Sequence, residues 1–587
     1  MTTPEQFAIT AAKRYLQNVV FVDDEIYSRD TGKPSAAIAV ELPQFKAPIR
    51  RAQTTESITA RLKDAGGNVQ PLDMSPSKNT SVGEAAPFLK EDEDAAPTTS
   101  HEENAGVVFH PRQLVDSFAQ QGIVCALYEP QKGFSTDVNS LLFKLCERAA
   151  VVILDWAWCG GGGNNILPLI ENLANQSQNA YPHHSRLCVI YTGTPDLSRV
   201  NARIYDHLKA KNIDCDQDPS PTTLNSGSMK VVVLGKPTSG RSESQKEFEV
   251  LEASLPERII REFAAMHTGV LPAYALSGLA AIRGNTKRIL DKFHKDLDGA
   301  FLVHRAATLR QEEAFEQLPE LLAEEILSVL TEVQPNSEVI GAVAKGVADK
   351  LPFSKAPWQK DGTTSAQIIE SVKSFLTEGI SALSGKQKAL DHKTISEIHS
   401  AIGCDQSKAD HRLASLFNLR THYAGTAAPS LSFGSIVRER LQEEGHYRYS
   451  VCLMPLCDSI RLSNKDGAKT LFPFWTLSQN ANGGGGKRGV VVRVPGDKYE
   501  ELYMFGKARD NLWVEQFLPS ENHIVEAAKE NDLWVFNADG KKLEWIAQLK
   551  PAHAQRIAND VGMSLSRVAV IEAEWLRRKA DAKGDER

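Results

Sequence analysis

Four short, mostly β-branched runs in this chain each stop at a polar residue, and they do so in a fixed order. Asn18-Val-Val-Phe-Val runs into Asp23 and Asp24, and Val151-Val-Ile-Leu into Asp155. Val189-Ile-Tyr runs into Thr192, and Val231-Val-Val-Leu-Gly into Lys236-Pro237. Continuous apolar runs of this length suit strands buried on both faces, as parallel strands are. Between them the apolar spacing becomes helical, at Arg112–Gln121, Thr136–Arg148, Asn165–Ala174, Leu197–Lys209 and Glu247–Met266. A further strand is expected at Ile123–Tyr128, after Gly122 closes the first of these helices. Strand and helix alternating five times predict an α/β fold with an open, doubly wound, five-stranded parallel sheet.

The alternation spans residues 1–268, with one interruption. From about 28 to 108 the chain is rich in Pro, Ser, Thr, Ala and charge, including Lys90-Glu-Asp-Glu-Asp94. This composition reads as a long insertion, mostly loop or disordered, either a regulatory loop or simply tolerated. Residues 269–430 carry helical periodicity, best at Leu271–Leu290, Leu297–Glu312, Pro319–Leu330, Glu338–Leu351, Ala366–Leu383 and Lys393–Leu416. Residues 431–587 read as an α+β domain, with strands at Arg448–Pro455, Val490–Pro495 and Trp534–Asn537 and a helical tail from Pro551 to Lys583.

Composition narrows the function classes. With 42% hydrophobic residues over 587 positions the chain can build several cores. No run of 18 apolar residues occurs and the first residues lack a signal-peptide core, so a cytoplasmic protein without membrane contact is expected. Eight scattered cysteines without a CxxC pair, Cys452 and Cys457 among them, read as reduced, buried thiols. The net charge of -7 gives no general attraction to nucleic acid. Ala558, Gly562 and Val568 sit at helix-turn-helix spacing with Arg567 beside them, but Glu572 and Glu574 would oppose phosphates, so DNA binding is disfavoured. Gly483–Gly486 with Lys487 lacks both the spacing and the leading strand of a phosphate loop. His294 and His304 lie in a basic helical stretch and read as a solvated face before a phosphotransfer histidine.

Ligands of a doubly wound sheet bind outside the carboxyl ends of its strands, where Asp23, Asp24, Asp155, Thr192 and Lys236 collect. Three converging carboxylates cannot all stay ionised unpaired. A hard divalent cation resolves that conflict, and Mg²⁺ suits carboxylates, water and a phosphoryl oxygen. Lysine supplies a point charge for a phosphoryl group, and threonine a hydroxyl donor. The set is suited to phosphoryl transfer onto a carboxylate.

With these residues in this order, the sequence resembles the receiver domain of two-component response regulators, a flavodoxin-like fold. The resemblance covers roughly residues 16–268. It implies that Asp155 accepts phosphate from a histidine kinase, that Asp23 and Asp24 hold Mg²⁺ with Asp155, and that Thr192 and Lys236 contact the phosphoryl group. It also implies that Ala157 and Thr194 flank the pocket and set the hydrolysis rate. The chain departs from the family in its insertion, in the loop Ala157-Trp-Cys-Gly-Gly-Gly-Gly163, and in Val233 at the aromatic switch position. Cys452–Leu462 and Glu572–Arg578 resemble patches of large bacterial receiver-containing proteins found in anti-phage loci, beside ATPases of the histidine kinase/Hsp90 type.

Three readings follow. The first is a phosphorelay response regulator with a histidine kinase or kinase/Hsp90-type ATPase upstream and an effector protein downstream. The second is a phosphorylation-independent adaptor. The third is a transcription regulator whose tail is a true helix-turn-helix. Beyond residue 268 no nucleophile–base set suggests a separate enzyme.

Overall fold

A computed structural model describes residues 4–24, 26, 111–130, 133–178, 185–307, 312–333, 337–351, 366–379, 399, 406–420, 428–441, 446–479, 489–496, 498–504, 508–531 and 533–565. The expected insertion at 28–108 and the Gly483–Lys487 run lie outside the described residues.

The N-terminal half is built on one mostly parallel sheet. Its strands are β1 (Asn18–Val22), β2 (Val124–Tyr128), β3 (Val151–Leu154), β4 (Arg186–Thr192), β5 (Asp216–Gln217), β6 (Thr223–Ser226) and β7 (Met229–Gly235). They lie in the order β2-β1-β3-β4-β7-β6-β5. The first five in that order run parallel, while β6 pairs antiparallel with β7 and β5 with β6. The sheet therefore has seven strands where five were expected. The extra pair comes from the polar stretch after Asp214, whose composition hides a hairpin. Thr223, Leu224 and Ser226 are buried there. Gly227 turns the chain at φ +57, where a Cβ would come within 2.4 Å of the Ser177 carbonyl oxygen.

Five helices flank the sheet: α2 (Pro111–Gln120), α3 (Leu141–Glu147), α4 (Leu167–Ser177), α5 (Leu197–Ala210) and α6 (Leu255–Met266). Two are shorter than their spacing predicts. Ser140 caps α3 by accepting from the Phe143 N–H, so the helix cannot extend back to Thr136. The chain before α6 forms 3₁₀ turns at Glu243–Phe248 and Glu252–Ser254. Between those turns the Val250 N–H donates to the Gly235 carbonyl, which extends β7 by a bridge and delays the helix.

An unexpected helix, α1 (Pro4–Tyr15), precedes β1. Its small apolar face, Ala8, Ala11 and Ala12, is buried, as is Leu16 just after it. It packs against α6 and against α7 (Val270–Gly284). Tyr15 stacks on Phe263 at 5.8 Å, and the Arg283 guanidinium lies 4.5 Å from the Tyr15 ring.

Beyond α7 and up to residue 418 the described residues form helices at Thr286–Lys292, Asp298–Ala307, Glu312–Glu332, Ser337–Lys350, Ala366–Glu378 and Gln406–Asn418, while most of the first half of the expected Lys393–Leu416 helix lies outside the described residues. His294 and His304 are exposed, and His294 pairs with Asp296. The C-terminal part holds a second seven-stranded sheet, antiparallel throughout, and a hairpin of Gly489–Val494 with Lys498–Tyr503. The helix Pro551–Leu565 packs Ala554, Ile557 and Val561 into that core. It runs unbroken through Ala558 and Gly562, so the turn a helix-turn-helix needs at Gly562 is not formed; Arg567, Val568, Glu572 and Glu574 lie outside the described residues. Cys146, Cys188 and Cys452 are buried thiols pushed up to about 12, whereas Cys457 is exposed, against the expectation of a buried thiol.

Candidate functional site

The parallel register delivers the polar strand ends to one place. Val22 pairs with Tyr128 on one side and Leu154 on the other, which sets Asp23 and Asp155 one residue beyond the same row. The Asp155 N–H donates to the Val22 carbonyl at 3.1 Å, and the Asp23 N–H to that of Tyr128 at 3.3 Å. Thr192 pairs with Gly235, and the Lys236 N–H donates to the Thr192 carbonyl at 2.8 Å. The parallel register thus brings four of the expected positions, Asp23, Asp155, Thr192 and Lys236, to the same end of the sheet.

Lys236 closes the cluster. Its Nζ donates to Asp23 Oδ2 at 3.0 Å and to Asp155 Oδ1 at 2.9 Å. The other Asp155 oxygen accepts from the Ala157 N–H at 2.8 Å. Asp23 and Asp155 are buried, at 2% and 8% exposure, while a quarter of the Lys236 side chain faces solvent. Two buried carboxylates thus meet one ammonium in a site largely closed to water. Burial lifts the Asp155 carboxyl above its usual range and Asp23 adds to the lift, against the opposing pull of Lys236 and the Ala157 N–H. Burial works against the Lys236 ammonium, but Asp155 and Asp23 outweigh it and hold its pKa above the usual range.

Two expected members stand differently. The Thr192 hydroxyl is fully buried and held by Thr194: it accepts from the Thr194 N–H at 3.1 Å and meets the Thr194 hydroxyl at 3.0 Å. It makes no hydrogen bond to Asp23, Asp155 or Lys236. Asp24 sits in the turn where the chain leaves β1. Among the described residues no group of three Asp, Glu, His or Cys side chains stands close enough to hold a metal ion. Asp23 and Asp155 are joined through Lys236, and Asp24 follows directly in the turn. These carboxylates fit Mg²⁺, because that ion keeps several waters and needs only one or two protein carboxylates beside phosphoryl oxygens.

Sequence reasoning missed two contributors. Tyr191 lies beneath the lysine, with Nζ 5.6 Å from its ring centroid, and its hydroxyl donates to the Val250 carbonyl. Arg241, with a side chain wholly buried, reaches the backbone of both loops that carry Thr192 and Lys236. An arginine five residues past the lysine, in a polar loop, gives no sequence signal of burial.

The glycine loop is shaped from outside. Arg203 lies over the Trp156 ring at 5.7 Å and donates to the Gly162 carbonyl and to Asn164. Gly163, at φ +93, sits where a Cβ would be 2.2 Å from the Trp156 ring. Gly163→Ala is thus expected to destabilise the protein by about 1–3 kcal/mol through overpacking and a strained backbone. Chemical denaturation should show the loss; an unchanged midpoint would remove this account of the loop.

A family model described as a response receiver domain matches residues 15–241. The match takes in β1 to β7 and every strand-end residue above. No curated protein and no solved structure matches the chain. Among the described residues no helix is long and apolar enough to cross a membrane.

Proposed function

We propose that this chain is a response regulator that accepts a phosphoryl group on Asp155 from a histidine kinase and signals through its C-terminal region. The receiver match supports phosphorelay-type signalling in general. What carries the finer reading is Lys236 bridging Asp23 and Asp155 at adjacent strand ends. In the transfer, an Asp155 oxygen forms the new bond to phosphorus as the donor's N–P bond breaks. The bonding pair leaves with the imidazole, which takes its proton from water. Lys236 gives up carboxylate contacts for the incoming phosphoryl oxygens, and positioning with charge compensation supplies the catalysis. Asp23, Asp24 and Asp155 would hold Mg²⁺, which when bound would screen the carboxylates from the phosphoryl charge.

Phosphoramidate or the upstream kinase, with Mg²⁺, should add one phosphoryl group per chain by intact mass. Asp23→Asn should weaken Mg²⁺ binding roughly tenfold by titration, since one of few protein ligands is lost. The locked Thr192 hydroxyl favours a second reading, a phosphorylation-independent adaptor. No mass gain with kinase and Mg²⁺ present would establish that reading instead. The resemblance of Cys452–Leu462 to receiver proteins of anti-phage loci supports a role in bacterial defence, with a histidine kinase/Hsp90-type ATPase as partner and an effector protein downstream. Adjacent genes encoding such an ATPase are the check.

A further inference from the structure

The loops after β4 and β7 are joined through one buried guanidinium. Arg241 Nη1 donates to the Lys236 carbonyl at 2.9 Å and to Glu249 Oε1 at 2.8 Å. Its Nη2 donates to the Thr194 carbonyl at 2.9 Å and, at 3.4 Å, to that of Thr192. Nε reaches the Pro195 carbonyl at 3.4 Å. Lys236 is consequently held at both backbone groups, its N–H on Thr192 and its carbonyl on Arg241. Thr194, which holds the Thr192 hydroxyl, is itself held by the same arginine.

Gly235 makes room for this arrangement, since a Cβ there would lie 2.0 Å from Nη1. Glu249 balances the charge from the far side, and its own segment is fixed to β7 through the Val250 N–H and the Gly235 carbonyl. Burying a guanidinium is costly unless its donors are matched, and here four backbone carbonyls and a carboxylate match them. Meanwhile Val233, at the position where the receivers this chain resembles carry an aromatic switch, is wholly buried in the core.

We propose that Arg241 is a positioning residue for phosphoryl transfer. It locks the Thr192 loop and the Lys236 loop into one unit, so that the Lys236 ammonium is held at a fixed position beside Asp155. This rests on Asp155 being the phosphoacceptor. Loss of the fork lets the two loops move independently, which lowers the probability of the reactive geometry without altering encounter with the donor.

The experiment uses the full chain with phosphoramidate and Mg²⁺, followed by intact mass over time. Arg241→Met should lower the phosphorylation rate at saturating donor roughly tenfold or more, with the half-saturating donor concentration unchanged. Arg241→Lys keeps the charge but only part of the hydrogen bonding, and should fall between the two. Thermal melting checks that each variant is folded. Should Arg241→Met fail to fold, Glu249→Gln, which loosens one arm of the fork, should show the same split at smaller amplitude. A folded variant with the wild-type rate, or a loss appearing only in half-saturation, overturns the positioning role while phosphorylation stands. Unmodified wild type overturns the phosphoacceptor reading, and the role of Arg241 with it.

Discussion

Asp155→Asn is expected to abolish phosphorylation while raising thermal stability at neutral pH. The first effect is all or none, because the amide cannot form the acyl phosphate. The second follows from charge. Asp155 is buried against Asp23, and burial is the larger cause of its raised pKa. A carboxyl that binds its proton more tightly in the folded than in the unfolded state favours folding only while protonated. Stability therefore falls as pH rises from the ordinary carboxylate value through the raised one, and the deficit persists at pH 7. Asparagine removes the like charge, keeps a carbonyl for the Ala157 N–H, and leaves Lys236 its contact with Asp23. Melting temperatures across pH test this. The variant's advantage should be present at neutral pH and vanish below about pH 4, where Asp155 is protonated in both states. A variant less stable than wild type at pH 7 would mean that the Lys236 pairing outweighs the burial of the carboxylate.

The same balance explains how much of the site could be read in advance. Asp23, Asp155 and Lys236 were legible because each ends a buried run, and strand register turns that sequence feature directly into a shared location. Arg241 was invisible because its burial depends on four carbonyls from two loops distant in sequence. The same contrast holds for the fold. The parallel strands announce themselves by apolar runs, while β6 is buried through threonine, leucine and serine in a polar stretch. Helix α1 was missed for a similar reason, its buried face being mainly alanine, whose weak hydrophobicity leaves little periodic signal.

The phosphorylated form is expected to be long-lived, and Ala157→Asn to shorten its lifetime about tenfold, the effect of orienting an attacking water by one side chain. Loss of the phosphoryl group needs a water in line with the Asp155–phosphorus bond, so a side chain that can hold such a water sets the rate. The two positions flanking the pocket do not supply one. Ala157 contributes only its N–H, and that is committed to Asp155 Oδ2. Thr194 has its hydroxyl on Thr192 and its carbonyl on Arg241. The two amides of the following loop are engaged elsewhere, Asn164 with Arg203 and Asn165 with the Trp158 carbonyl. The Ala157 side chain is exposed, so asparagine fits there without repacking and brings an amide beside the acyl phosphate. Ala157→Val, similar in exposure but unable to hold water, is the control and should leave the lifetime unchanged. The decay is followed by intact mass after the donor is removed. Equal shortening by asparagine and valine would point to loop distortion, and no shortening by asparagine would remove water orientation as the determinant of this lifetime.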